Sequence, residues 1–454
     1  VTIVALSLLA PVGLAVLTAA TACVLVAALV RAHPGVYRSR LAPGSLSLVA
    51  AAKALANRRF YLGRARSHGP VFKMAQYGHR VVCVLGLERG HRLLRDRAAS
   101  IGASPQPFTH EIAGGFLRYM DATTHRRYAP LFRRALAGPV VGGGEEVTAA
   151  AARSELDRLA DACVRTEGGV APGPYLAPVV EAAALRVLFG LQCDDESWDA
   201  FHAEYRSLEE QPLASPLTRA ARESLPLLRD ILREHQARLA SHEVTRVCSL
   251  TELARIDPAM PDDVCLDNLL FAHRLSAANV CSLLTWLLYE LGRNPGVIGR
   301  LRDEIDTPEG AAAAPLVERT IMETLRLNQS EYLFRTVTDE FEFEGFRFPR
   351  SWQVRLCVWE SHRDPDVFEQ PESFDPDRFL GRDFTSAEYS PFGWGAHACN
   401  GVALTEMICR TVLVTLVSGF ELEVHGGEPA EHGSRHGNHW RPNSDLRLRL
   451  VDAG

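Results

Sequence analysis

The stretch SPFGWGAHACNGVALTEM, residues 390–407, decides the fold. It surrounds one cysteine, Cys399, with glycines and alanines and then runs into apolar residues at helical spacing. Side chains this small let something large lie against the backbone. The following run, VALTEMICRTVLVTLV, predicts a helix beginning directly after the cysteine, so backbone N–H donors and a positive helix end lie close to its sulfur. Such surroundings hold a thiol toward its reactive, ionised form. Packing without chemistry is the bland alternative for a lone buried cysteine.

Composition narrows the setting. The chain has 454 residues, 47% hydrophobic and 23% charged, enough for a large core and unlike a disordered chain. A net charge of −6 gives no basic footprint, which argues against a nucleic-acid partner. Its ten cysteines are scattered without a C-x-x-C pair, the pattern of reduced, mostly buried thiols. Residues 1–30 carry no charged side chain and exceed the roughly 20 residues that span a bilayer. They read as a membrane anchor. Arg31, Arg38 and Arg40 follow at once, which puts the remainder on the cytoplasmic side. A short tether occupies 31–44, and one large domain fills 45–454.

Beyond the tether, two β-rich runs around Tyr77-Gly78-His79 predict a hairpin, and apolar spacing from about 88 to 300 predicts mostly helix. Strand signals return in FEFEGFRFPRSWQVRLCVW (341–359) and SDLRLRLV (444–451). The fold class is mainly α with small β-sheets.

Phe392, Gly393, Gly395, His397, Cys399 and Gly401 make F-G-x-G-x-H-x-C-x-G, which resembles the haem-binding signature of the cytochrome P450 family in its bacterial-style form. Other segments carry the resemblance onward. Glu323 and Arg326 supply an E-x-x-R pair at i, i+3 on one helix face, and Arg378 in FDPDRFL stands where the family completes a three-residue charge network. The likeness runs over about residues 45–450. It implies haem b (iron protoporphyrin IX), with Cys399 as the axial ligand of the iron. A thiolate there favours O–O cleavage. It further implies that His397, Arg335 and His125 reach the haem propionates. The arginine that usually follows four residues after His125 is replaced by Ala129, so Arg126 or Arg133 substitutes or the contact is lost.

The helix LLFAHRLSAANVCSLLTWLLYELGRNP (269–295) resembles the one that crosses over the haem. Most oxygenases of the family carry an acid and a threonine there to relay protons; this chain has Ala278-Asn279. Alanine cannot titrate, and an amide is no proton acid near neutral pH. Asn279 would position water, and Ala278 marks the missing acid. Asn at this place, together with RLNQSEYLFR (326–335) lacking the usual Pro-Pro, is shared with the cholesterol 7α-hydroxylase/prostacyclin synthase-like branch. The resemblance therefore implies a monooxygenase acting on a lipophilic small molecule such as a terpenoid, steroid or fatty acid. Its electrons would come from a separate ferredoxin or reductase, because no NAD(P)H or flavin fingerprint is present. The alternatives are a reductase-independent rearrangement of a peroxide and a haem-binding protein without turnover. Arg363 and Arg410 are expected to steer an acidic electron carrier. His273 and Arg274 either meet a polar substrate group or face water at a helix end. The His-rich tail EPAEHGSRHGNHW (428–440) fits no zinc spacing and reads as a loop.

Overall fold

The computed structural model describes residues 41–76, 78–103, 117, 120–209, 220–241, 246–307, 314–328, 333–427, 435–436 and 439–452. The expected anchor at 1–30, most of the tether, Tyr77, most of TPEGAAAAP (307–315) and residues 329–332 lie outside the described residues.

Strands gather into one six-stranded sheet, in the order Gly44–Ser45, Val71–Gln76, His79–Leu85, Gln353–Cys357, Leu333–Val337, Ile101–Ala103. The expected hairpin supplies its second and third strands: Val71 pairs antiparallel with Val84, and Gln76 with His79. Val81, Val82, Cys83 and Val84 are all buried, as a continuous apolar run is when both faces of a strand are covered. His79–Leu85 then pairs in parallel with Gln353–Cys357, which ties the N-terminal region to a segment some 270 residues later. The run at 341–359 contains the strands Phe341–Phe343, Phe346–Phe348 and Gln353–Cys357. Part of the His-rich tail also closes as a small hairpin, His436 opposite His439, where a loop is expected.

Helices fill the rest. Asp121 starts Ala122–Ala135 by accepting hydrogen bonds from the backbone N–H groups of Thr123 at 2.8 Å and Thr124 at 3.1 Å. The longest helix, Asp262–Arg293, has 32 residues and a length of about 48 Å. Asp262 and Asp263 complement its N-terminal dipole, and Pro295 opens the helix that follows. It packs on Gly173–Phe189, Pro315–Asn328, Val402–Gly419 and the strand Phe420–His425. Gly292 permits the last contact, since a Cβ there would lie 2.1 Å from Val424 Cγ2. Trp286 is wholly buried. Arg229, from Ala220–Ala240, grips the buried Asp267 on the long helix with two bonds of 2.6 and 2.7 Å.

Val402–Gly419 is the one described helix long and apolar enough to cross a bilayer, but half of that window is buried inside the protein. It is a core helix. Seven of the nine described cysteines are buried, and none is in a disulfide.

Candidate functional site

The cysteine loop is built by backbone hydrogen bonds and two turns of positive φ. Gly393 and Gly395 have φ of 71° and 72°, a region that L side chains rarely adopt. Cys399 N–H donates to the carbonyl of Phe392 at 2.9 Å and closes the loop on itself. Gly401 N–H then points at Cys399 Sγ, 3.4 Å away, and Val402–Gly419 begins at the next residue. Cys399 is exposed, yet enough protein surrounds it that desolvation raises its thiol pKa, with the Gly401 N–H acting against that rise. The chain alone keeps it as a thiol; coordination to a metal would ionise it. A reachable sulfur, a backbone donor aimed at it and glycine-shaped turns fit a haem-thiolate ligand.

Three of the residues expected near a haem lie around this loop. The rings of His125 and His397 are 4.2 Å apart between centroids. His125 is buried, not at the surface, and burial and the nearby Arg133 both lower its pKa. Arg133 donates to the carbonyl of Ala396 at 2.9 Å, while Arg126 turns to Thr123. Of the two arginines offered as substitutes, Arg133 reaches the loop. Arg335 is buried on the strand Leu333–Val337, whose first residue lies 3.4 Å from where a Gly393 Cβ would stand. Its guanidinium donates to the carbonyl of Phe334.

The charge network is complete. Glu323 and Arg326 are both fully buried and joined by bonds of 2.7 and 2.8 Å. Arg378 Nε and the Asp375 N–H share Glu323 Oε1, each at 2.9 Å. Arg326 also donates to the carbonyls of His362 and Pro371, so it stitches the segment before the cysteine loop to the E-x-x-R helix.

On the long helix, residues 274–279 all keep part of their surface open, although most of the flanking positions are buried. Ala278 and Asn279 belong to this run. His273 does not face water at a helix end. It is buried at mid-helix with its ring 4.6 Å from that of Tyr205, and burial holds its pKa at about 3, so it stays neutral. Arg363 is likewise interior: it stacks 3.5 Å over Trp359 and donates to the carbonyl of Leu327. It offers no surface to a carrier. Arg410 is half-buried and paired with Glu318 at 3.3 Å.

Sequence reasoning passed over Trp394, whose ring packs 3.9 Å from that of His91 and whose Nε1 is buried without a partner. The only signal was its place inside the loop motif. Among the described residues no group of three or more His, Cys, Asp or Glu could hold a separate metal ion.

Residues 264–443 match the family model described as Cytochrome P450. Cytochrome P450 81F1 of Arabidopsis thaliana is 31% identical over 218 residues, 45% of this chain and 44% of that protein. Ent-cassadiene C11-alpha-hydroxylase 1 of Oryza sativa subsp. japonica is 29% identical over 251 residues, 51% of this chain and 50% of that protein. The chain thus spans about half the length of the curated relatives it matches. The structure of retinoic acid bound cyanobacterial CYP120A1 superposes with a TM-score of 0.74 at 20% identity, covering 91% of this chain and all of that one. The fold is the mainly helical one of that structure, and residues 264–443 carry the similarity to the cytochrome P450 family.

Proposed function

We propose that the protein is a haem-thiolate monooxygenase that inserts one oxygen atom into a lipophilic small molecule, with electrons delivered by a separate ferredoxin or reductase. The observation that carries this reading is Cys399: a reachable sulfur in a self-closed loop, with the Gly401 N–H directed at it. When bound, haem b would supply the activation of dioxygen, tuned by its sulfur ligand. Cys399 would be that ligand, and Phe392, Gly393, Gly395 and Gly401 would shape the loop beneath the ring. His397, His125 and Arg335, joined by Arg133, would hold the acidic edge of the haem through charge-assisted bonds. Glu323, Arg326 and Arg378 would keep that side of the core in one arrangement. Asn279 would orient water, and Ala278 leaves the relay without an acid.

A terpenoid or related metabolite is the favoured substrate class, in keeping with the ent-cassadiene hydroxylase among the relatives. The likeness to the cholesterol 7α-hydroxylase and prostacyclin synthase branch rests on Asn279 and on a segment partly outside the described residues. The plant relatives support neither that branch nor a bacterial origin. Residues 1–30 would tether the domain at 45–454 to a membrane with its catalytic part in the cytoplasm.

Ala278-Asn279 favours one second reading, a reductase-independent rearrangement of a peroxide, because that chemistry needs no proton relay. Carbon monoxide added to the reduced protein tests the foundation: a red-shifted thiolate band is expected, and Cys399→Ala should abolish it. An unchanged spectrum in that variant would refute the haem-thiolate reading. Product that depends on a surrogate reductase then supports monooxygenation, product from an organic hydroperoxide alone supports rearrangement, and no product under either regime supports a haem protein without turnover.

A further inference from the structure

The end of the chain brings to the long helix a charge that the site above does not use. Trp440 closes the short strand His439–Trp440, and its carbonyl accepts two hydrogen bonds from that helix, from Trp286 Nε1 at 2.8 Å and Ser282 Oγ at 3.2 Å. These fix the point from which Arg441 departs. The Arg441 Nη2 reaches the carbonyl oxygen of Ala278 at 3.4 Å, within the open run 274–279 and next to Asn279. Its Nε is buried and has no hydrogen-bond partner.

Several interior arginines have carboxylate partners. Arg326 and Arg378 share Glu323, Arg355 pairs with Glu360, and Arg363 with Glu372. Among the described residues Arg441 has no ion pair, and Cys281 is the one titratable neighbour that acts on it; burial pushes its pKa down, but a guanidinium stays charged near neutral pH. A cation taken out of water without a counter-charge is costly to keep. Nε and Nη2 form one edge of the guanidinium fork, the edge that receives a carboxylate through two parallel N–H···O bonds. Here one of those nitrogens is unsatisfied and the other holds only a long bond to a carbonyl. Lysine, a point charge on a flexible stem, would not present that edge.

We propose that Arg441 binds the carboxylate of an acidic, otherwise lipophilic substrate, and so decides which end of that substrate lies beside Ala278 and Asn279. The assignment rests on the haem-thiolate reading and names the substrate class of that same site. Anchoring one end of an apolar molecule restricts which of its carbons can be oxidised.

The test uses the full-length, haem-loaded protein and equilibrium dialysis with palmitate and abietate, each compared with its own methyl ester. At least one acid is expected to bind ten-fold or more tightly than its ester. Arg441→Gln should erase that difference while leaving ester affinity unchanged, and Arg441→Lys should keep part of it and report on any loss of folding in the first variant. The proposal is overturned by equal affinity for acid and ester, by an acid preference that survives in Arg441→Gln, or by failure of both acids to bind. The carbon monoxide spectrum of the same preparations separates the two levels. A thiolate band without acid preference removes only the Arg441 assignment, whereas a missing band removes the reading beneath it.

Discussion

Asn279 and Ala278 sit in an open stretch of a helix that is otherwise mostly buried, so their chemistry is available to whatever lies beside them. An amide can hold a water by donating and accepting, but it cannot pass on a proton and recover it at neutral pH. Installing Asp at 278 and Thr at 279 together is therefore expected to raise the product formed per electron pair consumed several-fold, measured with a surrogate reductase. Equal coupling in the two proteins would mean that protons reach the site by a path independent of these residues. At this scale the sequence was informative where a residue type has few uses. A cysteine among glycines, and Glu and Arg three apart on one helix face, announce their geometry because backbone spacing sets it. Arg363 and Arg441 show the opposite case. One is buried over Trp359 and the other meets the long helix from 163 residues away, and nothing local in either segment distinguishes them from solvated arginines.

Among the elements, the helix Pro315–Asn328 and the turn Pro376–Phe379 are held together by a single carboxylate. Glu323 is fully buried and answers two guanidinium groups and a backbone N–H. Burying an ion network of this kind adds little stability by itself, but removing its only acid strands both cations in the interior. Glu323→Gln is expected to cost about 3–5 kcal/mol of unfolding free energy, read from the denaturation midpoint in guanidinium chloride. Arg378→Lys should cost less, since the Arg326 pair survives it. A neutral outcome for Glu323→Gln would show that water or neighbouring carbonyls compensate the two arginines. The elements themselves were largely legible: β-rich runs give the hairpin at 71–85 and the C-terminal strand, and the family resemblance gives the long helix. What periodicity could not give is partner choice. The parallel pairing of His79–Leu85 with Gln353–Cys357 depends on two apolar runs finding each other across most of the chain.

Across the whole molecule, distant parts of the sequence converge on a cluster behind the long helix. Asn328 donates from its side chain to Glu290 Oε1 at 2.6 Å and accepts at its backbone carbonyl from Arg58 at 2.6 Å. Arg58 lies 4.4 Å over Trp359, which Arg363 covers from 3.5 Å. The N-terminal segment, the long helix, the E-x-x-R helix and the sheet region thus meet around one carboxyl group. Desolvation there pushes the Glu290 pKa up to about 7, and the Asn328 amide and the nearby Arg363 and Arg293 only partly offset it. The consequence for stability has a definite sign. A carboxyl whose pKa is higher folded than unfolded binds more protons in the native state, so stability falls as pH rises from about 4.5 to about 7 and is level above that. Glu290→Gln keeps the shape and the acceptor for Asn328 but removes the charge. The variant should match the parent near pH 4.5 and become progressively more stable than it up to pH 7, by roughly 2–3 kcal/mol at the top of that window. Denaturant midpoints of the two proteins at half-unit steps across the range measure it directly. A difference that is constant with pH, or that grows toward acid, would mean that Glu290 is ionised in the folded protein throughout, with Arg363 and Arg293 outweighing the cost of its burial.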